Sequence, residues 1–501
     1  MATIRKQSIV SSIVIYSGFA VGFLNTYLFT REGAFSEAEY GLTGIFIAIG
    51  TLMLAFANLG MPNYIYKFFP YYNDHLPPRK NDQLSWALLV SSAGFVLVIL
   101  AGITLKWLVV QKFVENSPLI LDYYEWIFPF GFGLMIYTIL EAYAWNLKKS
   151  ILTNYLREAQ WRLFTTILIV LFMTGVIKQF DLFIKLYAFT YPAIAVMLLA
   201  YLLITRRLYF NFSPSKVTRR FLKKIVTLAS FTYGGALIFN AALVIDSIII
   251  ASVLPAALTQ VAIYTLAQNI SSLIQAPQRA IVAATISPLS QAWKDKKHKA
   301  ILQIYQRSAI NQLIFAAGIY LLIWMNFYDA VITFHLKSTY QQAFQVFLFL
   351  GATKLVDMGT GVNAQIIGTS VYWRFELISG MILLTSMVPL TYWLTKSYGI
   401  IGAGISNLIS ISIYNGARIL FLWFKFRMLP FSRATVYTLL LAAACFALSF
   451  FTFRQMHGLI GMFIRSVAFV MLYGSLVISL KLSPDIAPVW ASVKKRLGKR
   501  S

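Results

Sequence analysis

The sequence predicts an all-α polytopic membrane protein, and three observations support this fold class. Hydrophobic residues make up 59% of the 501-residue chain and charged residues 12%, which is more apolar than a soluble core requires. Apolar runs recur along the whole chain at the length of about 20 residues that a helix needs to cross a bilayer. The formal net charge is +26, but the positive residues collect in alternate connecting segments. This distribution indicates membrane topology rather than a nucleic-acid partner.

The apolar runs predict about fourteen transmembrane helices. Their approximate limits are 8–30, 40–68, 84–110, 124–146, 160–178, 181–204, 225–253, 260–288, 303–328, 342–368, 375–396, 399–424, 434–453 and 457–481. The first run reaches full spanning length without a cleavage site, so it predicts a retained helix rather than a signal peptide.

The connecting segments alternate in charge. Basic clusters lie before the first span, after the even-numbered spans two to eight, after span twelve and in the tail, whereas 254–260 holds no basic residue. By the positive-inside rule, this pattern predicts an even number of spans with both termini in the cytoplasm.

The longest basic segment predicts the division of the chain. We expect a six-helix lobe at 1–204, a basic cytoplasmic linker at 205–224, a second six-helix lobe at 225–424, helices 13 and 14 at 434–481 and a basic cytoplasmic tail at 482–501. Matching landmarks about 220 residues apart, Tyr40-Gly41-Leu42 with Val261-Ala262-Ile263 and Pro70 with Pro288, favour two pseudo-symmetric repeats. Chance similarity is the alternative.

Isolated charges inside apolar spans indicate candidate functional residues, because an unpaired charge in hydrocarbon costs at least about 2.5 kcal/mol. Asp246 in span seven is a candidate for ion coupling or gating, with a static helix–helix ion pair as the alternative. Arg279 follows Pro277 in span eight and suits a phosphate, which a guanidinium binds through two parallel hydrogen bonds. Snorkelling of Arg279 towards the headgroups is its alternative.

Span ten holds Lys354 and Asp357 in the segment GATKLVDMGTG. Their i, i+3 spacing places them on one helix face, where they either neutralise each other or serve as a substrate-binding cation and a coupling carboxylate. Gly351, Gly359 and Gly361 favour close helix approach or local unwinding.

Arg418 in span twelve and Glu141 in span four complete the candidates. Arg418 is a candidate substrate ligand, and snorkelling explains it almost as well. Glu141, with Lys148 and Arg157 following it, is a candidate for ion coupling or gating and has the same alternative. The sequence contains no nucleotide-binding glycine loop, HExxH or GxSxG motif, and its single cysteine is Cys445. We therefore expect a transporter rather than an enzyme, with no catalytic residues, metal site or cofactor, driven by a proton or sodium gradient, a substrate gradient or a partner.

Several short motifs, in a consistent order, resemble those of a known family. They are Glu39-Tyr40-Gly41-Leu42, Asn58-Leu59-Gly60-Met61, Asp246 followed by Ala262-Ile263-Tyr264, and Tyr398-Gly399-Ile400-Ile401-Gly402-Ala403-Gly404 with Asn415 and Arg418 after it. On these motifs the chain resembles the polysaccharide-exporter branch, the Wzx-like oligosaccharide flippases, of the multidrug, oligosaccharidyl-lipid and polysaccharide (MOP) exporter superfamily. It departs at Ala262, where the family usually has glycine.

The resemblance implies two MATE-like six-helix lobes around a central cavity, with two extra C-terminal helices forming a lipid groove. It also implies transport across the bacterial inner membrane, by alternating access, of an oligosaccharide linked to a polyprenyl pyrophosphate for cell-surface polysaccharide synthesis. Membrane lipids and polysaccharide-assembly proteins are the implied partners. The alternatives are multidrug efflux, a lipid II flippase and, from a different class, a membrane glycosyltransferase or polymerase.

Overall fold

The computed structural model describes residues 2–33 and 35–485, without the side chains of residues 2–13, 279, 280, 283 and 287. Apolar runs fold into helices because a helix satisfies every backbone polar group within one segment. The α-helices are α1 Ala2–Thr30, α2 Glu37–Ala57, α3 Met61–His75, α4 Gln83–Thr104, α5 Lys106–Phe113, α6 Pro118–Asp122, α7 Ile127–Asn146, α8 Ser150–Asn154, α9 Trp161–Met173, α10 Phe180–Ala188, α11 Thr190–Ile204, α12 Lys216–Val253, α13 Ala257–Ser272, α14 Gln278–Lys294, α15 His298–Thr333, α16 Ala343–Gly359, α17 Asn363–Thr369, α18 Phe375–Phe426, α19 Arg433–Thr452 and α20 Gly458–Ser479.

The helices confirm the predicted fold class. Within the described residues, nine helical segments are long and apolar enough to cross a membrane, and α18 joins two of the predicted spans across a kink. Several predicted spans are interrupted: span two breaks between α2 and α3, span eight between α13 and α14, and span ten between α16 and α17. The number of fourteen crossings stays a prediction.

The chain forms two compact units, Met1–Ala262 and Ile263–Ser501. The predicted lobes and linker stay predictions, and the basic tail lies outside the described residues from residue 486 onward. In the first unit, α7 packs against α2, α3, α4 and α11, while α12 packs against α2 and α3. In the second unit, α16 lies against α15 and α18, and α19 and α20 pack on each other and on α15.

The break between α2 and α3 depends on Gly60. This residue has a φ of 76°, in the left-handed region, and its amide donates to Asn58 Oδ1 at 2.9 Å. A Cβ at this position would lie 2.3 Å from the carbonyl oxygen of Ala229 on α12. The motif Asn58-Leu59-Gly60-Met61 therefore permits both the turn and the close approach of α12.

Replacing Gly60 with alanine is expected to destabilise the protein by roughly 1–3 kcal/mol, because the substitution adds left-handed strain and a backbone clash. Thermal unfolding of the purified protein in detergent measures this loss. Gly234→Ala is the matched control, since Gly234 is helical and a Cβ there meets no atom within 4 Å. Equal melting temperatures for the two variants would contradict the prediction.

The kink in α18 lies at Gly399, which has a φ of 63° and a ψ of −148°. Two contacts join the helical arms on either side of this glycine: the Thr391 and Ser406 hydroxyls are 2.8 Å apart, and Arg418 Nε donates to Ser379 Oγ at 3.2 Å. In each contact, the two residues lie at nearly the same sequence distance before and after Gly399. The second arm therefore runs back along the first. Glycine supplies the left-handed conformation that this reversal requires.

Candidate functional site

Arg418 is the most deeply buried of the predicted cations whose side chains the structure describes, with 3% of its surface exposed. Its guanidinium donates to Ser379 at 3.2 Å, to Asn363 Oδ1 at 3.5 Å and to the Glu376 carboxylate. The guanidinium carbon also lies 3.8 Å from the centroid of the Tyr414 ring. Ion pairing, hydrogen bonds and the aromatic face together offset the cost of burying this charge.

Asp357 lies in the same unit and is held by three side-chain amides. Its Oδ2 accepts from Gln275 and Gln278, each at 3.1 Å, and its Oδ1 accepts from Asn415 Nδ2 at 3.1 Å. Hydrogen bonds from neutral donors stabilise a carboxylate. Asp357 is therefore a negative group positioned by polar side chains from three helical segments.

Asn363 and Asn415 connect the two charged groups. Asn363 Nδ2 donates to Asn415 Oδ1 at 2.8 Å, while Thr360 Oγ1 donates to the same oxygen at 3.1 Å. The structure thus brings Arg418 and Asp357 into one hydrogen-bonded chain. We call this chain the α18 network, and its members are Gln275, Gln278, Asp357, Thr360, Asn363, Glu376, Ser379, Tyr414, Asn415 and Arg418.

Interruptions of the helices position the α18 network. A 3₁₀ turn at Leu273–Gln275 and Pro277 separate α13 from α14. Gln275 lies within this break, and Gln278 is the first residue of α14. The chain also unwinds between α16 and α17, where Gly361 has a φ of 68°. Non-helical backbone at membrane depth is tolerated where protein or a polar cavity surrounds it.

The other two predicted cations have less defined surroundings. Lys354 is half-buried on α16, in the same helix as Asp357. Arg279 is the second residue of α14, and its side chain lies outside the described residues. Their roles as substrate ligands stay predictions.

Glu141 lies in the first unit, where only 4% of its surface is exposed. Its Oε2 accepts from Arg157 at 2.9 Å, so the two side chains form an ion pair. Arg157 sits in a π-helical turn, Tyr155–Gln160, between α8 and α9. Such turns are rare and often occur at functional sites.

Asp246 is also buried, with 3% of its surface exposed, on α12. Its role in ion coupling or gating stays a prediction, as do the roles of Asp357 and Glu141.

Sequence reasoning missed Glu376 and the two glutamines. Glu376 lies at the start of a predicted span, where a charge is expected near the membrane surface and does not indicate a functional site. Gln275 and Gln278 are neutral, so neither carries the insertion cost that identified the other candidates. A counter-charge for Arg418 was the available signal, since a buried guanidinium requires one.

Several solved structures share this fold at low sequence identity, among them the following three. The lipid II flippase MurJ, in an inward closed conformation, matches with a TM-score of 0.70 and 14% identity over 94% of this chain and 99% of that one. An inward-facing multidrug resistance MATE family transporter of the MOP superfamily matches with a TM-score of 0.58 and 16% identity over 83% of this chain and 98% of that one. A MOP superfamily transporter from Pyrococcus furiosus matches with a TM-score of 0.54 and 14% identity over 88% of this chain and 96% of that one. Comparison with curated proteins gives no match.

The fold and the charged groups buried between its helices define a multi-pass membrane protein with the architecture of MOP-superfamily exporters and flippases. A family model described as polysaccharide biosynthesis protein matches residues 4–293, which is more than half of the chain. The chain belongs to this family.

Proposed function

We propose that this protein translocates a polyprenyl-pyrophosphate-linked oligosaccharide across the bacterial inner membrane by alternating access. The observation that carries the proposal is the buried guanidinium of Arg418, held in the α18 network among membrane-crossing helices. Membership of a polysaccharide biosynthesis family supports a glycan cargo. A buried arginine suits the pyrophosphate, because its planar donors match phosphate oxygens.

The structure suggests how such a site would work. In the conformation described, Glu376 and Asn363 occupy donors of Arg418. A pyrophosphate would compete with Glu376 for the guanidinium, so binding of the cargo and breaking of the ion pair would be linked. Glu376 and Ser379 belong to the first arm of α18 and Arg418 to the second, so cargo binding would loosen the contact between the two arms. Arg279 and Lys354 are proposed as further ligands of the anionic head.

Energy input would come from a proton or sodium gradient, with Asp246, Asp357 and Glu141 as the coupling or gating carboxylates. Of these, Asp357 is the group most directly connected to Arg418, through Asn415 and Asn363. Both termini are proposed to be cytoplasmic, and polysaccharide-assembly proteins are proposed partners.

The sidedness of the lipid-linked glycan tests this function. In cells that lack the protein, finished polyprenyl-linked oligosaccharide should accumulate on the cytoplasmic face, and the wild-type gene should clear it. Normal arrival at the outer face without the protein, in cells without a second flippase, would overturn the proposal.

Purified protein in liposomes separates the remaining alternatives. We expect movement of the glycan-linked lipid, and no change in glycan length. Movement of lipid II in its place would favour a lipid II flippase, and uptake of organic cations would favour multidrug efflux. An increase in glycan length would favour a transferase or polymerase.

A further inference from the structure

A cavity of about 580 Å³ lies in the first unit between α3, α4 and the N-terminal half of α12. One stripe of α12 lines it, formed by Arg219, Leu222, Val226 and Tyr233, whose spacing of three, four and seven residues places them on one helix face. The volume lies within the range of about 300–1,000 Å³ that is typical of ligand pockets. None of its lining residues belongs to the α18 network, so this cavity is separate from the proposed cargo site.

The wall of this α12 cavity is fixed by a chain of buried hydroxyls. Tyr64 donates to Tyr72 at 2.8 Å, the Tyr72 and Thr218 hydroxyls are 2.7 Å apart, and Thr218 donates to Asp82 Oδ2 at 2.6 Å. Asp82 also accepts from the Ser215 amide at 2.8 Å, which holds the start of α12 against α4. The cavity is therefore built into the packing of three helices.

Two donors at the α12 cavity are available to a ligand. The indole Nε1 of Trp86 is buried and has no hydrogen-bond partner among the described residues. Arg219 is exposed at the basic end of α12, and its guanidinium makes no ion pair or hydrogen bond within the part of the chain that the structure describes. By contrast, the Tyr233 hydroxyl already donates to the Phe56 carbonyl oxygen at 3.2 Å. The remaining wall is largely aliphatic and aromatic.

We propose that the α12 cavity binds an anionic membrane phospholipid, with one acyl chain between α3, α4 and α12 and the phosphate at Arg219 and Trp86. Charge complementarity selects this occupant: Lys216, Arg220 and Lys223 surround Arg219 in the sequence, and basic residues near a membrane surface attract anionic lipid. An organic cation would meet repulsion from the same residues. Because α12 continues to Asp246, lipid bound here would act on a helix that carries a candidate coupling group.

Photocrosslinking tests the site on the full-length protein in detergent. The probe is phosphatidylglycerol with a diazirine on one acyl chain, and peptide mapping should place the label on α3, α4 or α12. We expect unlabelled phosphatidylglycerol to prevent labelling at roughly tenfold lower concentration than phosphatidylcholine, as one charge-assisted contact allows. Arg219→Gln should remove this preference, and Val226→Trp should block labelling by filling part of the cavity.

Two matched variants control for folding and non-specific charge. Arg220→Gln removes a neighbouring exposed cation, and Thr227→Trp adds the same bulk one residue from Val226; neither position lines the cavity. Thr227→Trp should label as the wild type does, and Arg220→Gln should weaken the preference for phosphatidylglycerol less than Arg219→Gln does. Unchanged labelling of Val226→Trp, or equal losses in the controls, would overturn the proposal. A polyprenyl phosphate that competes more strongly than phosphatidylglycerol would overturn the phospholipid assignment in favour of a cargo tail.

Discussion

Replacing Arg418 with alanine is expected to lower the rate of lipid-linked glycan translocation by roughly ten- to a hundredfold, which corresponds to losing a charge-assisted contact to phosphate. The physical reason is specific to this position. Arg418 is the buried cation in the α18 network, and alanine removes its donors to Ser379, Asn363 and Glu376 together. The measurement is flipping in liposomes, normalised to the amount of folded protein.

A folding defect would also lower the translocation rate, so two further variants distinguish a folding defect from the loss of substrate binding. Arg418→Ala with Glu376→Gln removes both charges of the ion pair and should recover stability without recovering transport. Arg465→Ala is the matched control, because Arg465 is also 3% exposed and is paired with Asp329 in the same unit. It should lower stability without a selective transport defect. Recovery of transport in the double variant would show that Arg418 has only a structural role.

Arg418→Lys refines the test. Lysine keeps the positive charge but lacks the planar guanidinium, which can form two parallel hydrogen bonds and stacks on the Tyr414 ring. If pyrophosphate recognition depends on bidentate geometry, this variant should keep only a minor part of the activity. Full activity would indicate that charge alone is sufficient.

The helices of this protein could be predicted from the sequence because hydropathy acts on each span separately. The contacts within the site could not, because they depend on where helices break. Glu376 and Arg418 are 42 residues apart and meet only because Gly399 turns the second arm of α18 back along the first. Hydropathy identifies both spans but does not predict that these two residues form an ion pair.

The same reasoning explains the outcome for Asp357. Its spacing from Lys354 indicated local neutralisation as one alternative, which stays a prediction, whereas no sequence spacing indicated the hydrogen bonds that its carboxylate accepts from Gln275, Gln278 and Asn415. Two of these donors lie at the interruption between α13 and α14. Pro277 and the glycines near Asp357 were the sequence signals for such interruptions, and they located the breaks without identifying the neutral donors.

The π-helical turn at Tyr155–Gln160 leads to the second large expected effect. It places Arg157 against Glu141, whose other carboxylate oxygen, Oε1, is buried without a hydrogen-bond partner among the described residues. Arg157→Ala would leave this carboxylate buried without its cation. We expect a loss of about 3 kcal/mol in the free energy of unfolding, at the lower end for buried pairs because half of the Arg157 side chain is exposed.

A double-mutant cycle with Glu141→Gln measures the coupling, and the double variant should recover much of the loss. Lys185→Ala is the control, because Lys185 pairs with Asp181 in an exposed i, i+4 arrangement and should change stability by less than about 0.5 kcal/mol. Equal losses for Arg157→Ala and Lys185→Ala would contradict the prediction.

The stable double variant also tests the proposed coupling role of Glu141. If Glu141 couples transport to an ion gradient, this variant should keep exchange of cargo between the two membrane faces but lose accumulation driven by a proton or sodium gradient. If both activities persist, the Glu141–Arg157 pair only holds α7 against the π-helical turn. Ion coupling would then have to depend on Asp246 or Asp357, and Asp357→Asn would be the next variant to measure, because asparagine removes the charge while keeping the size of the side chain.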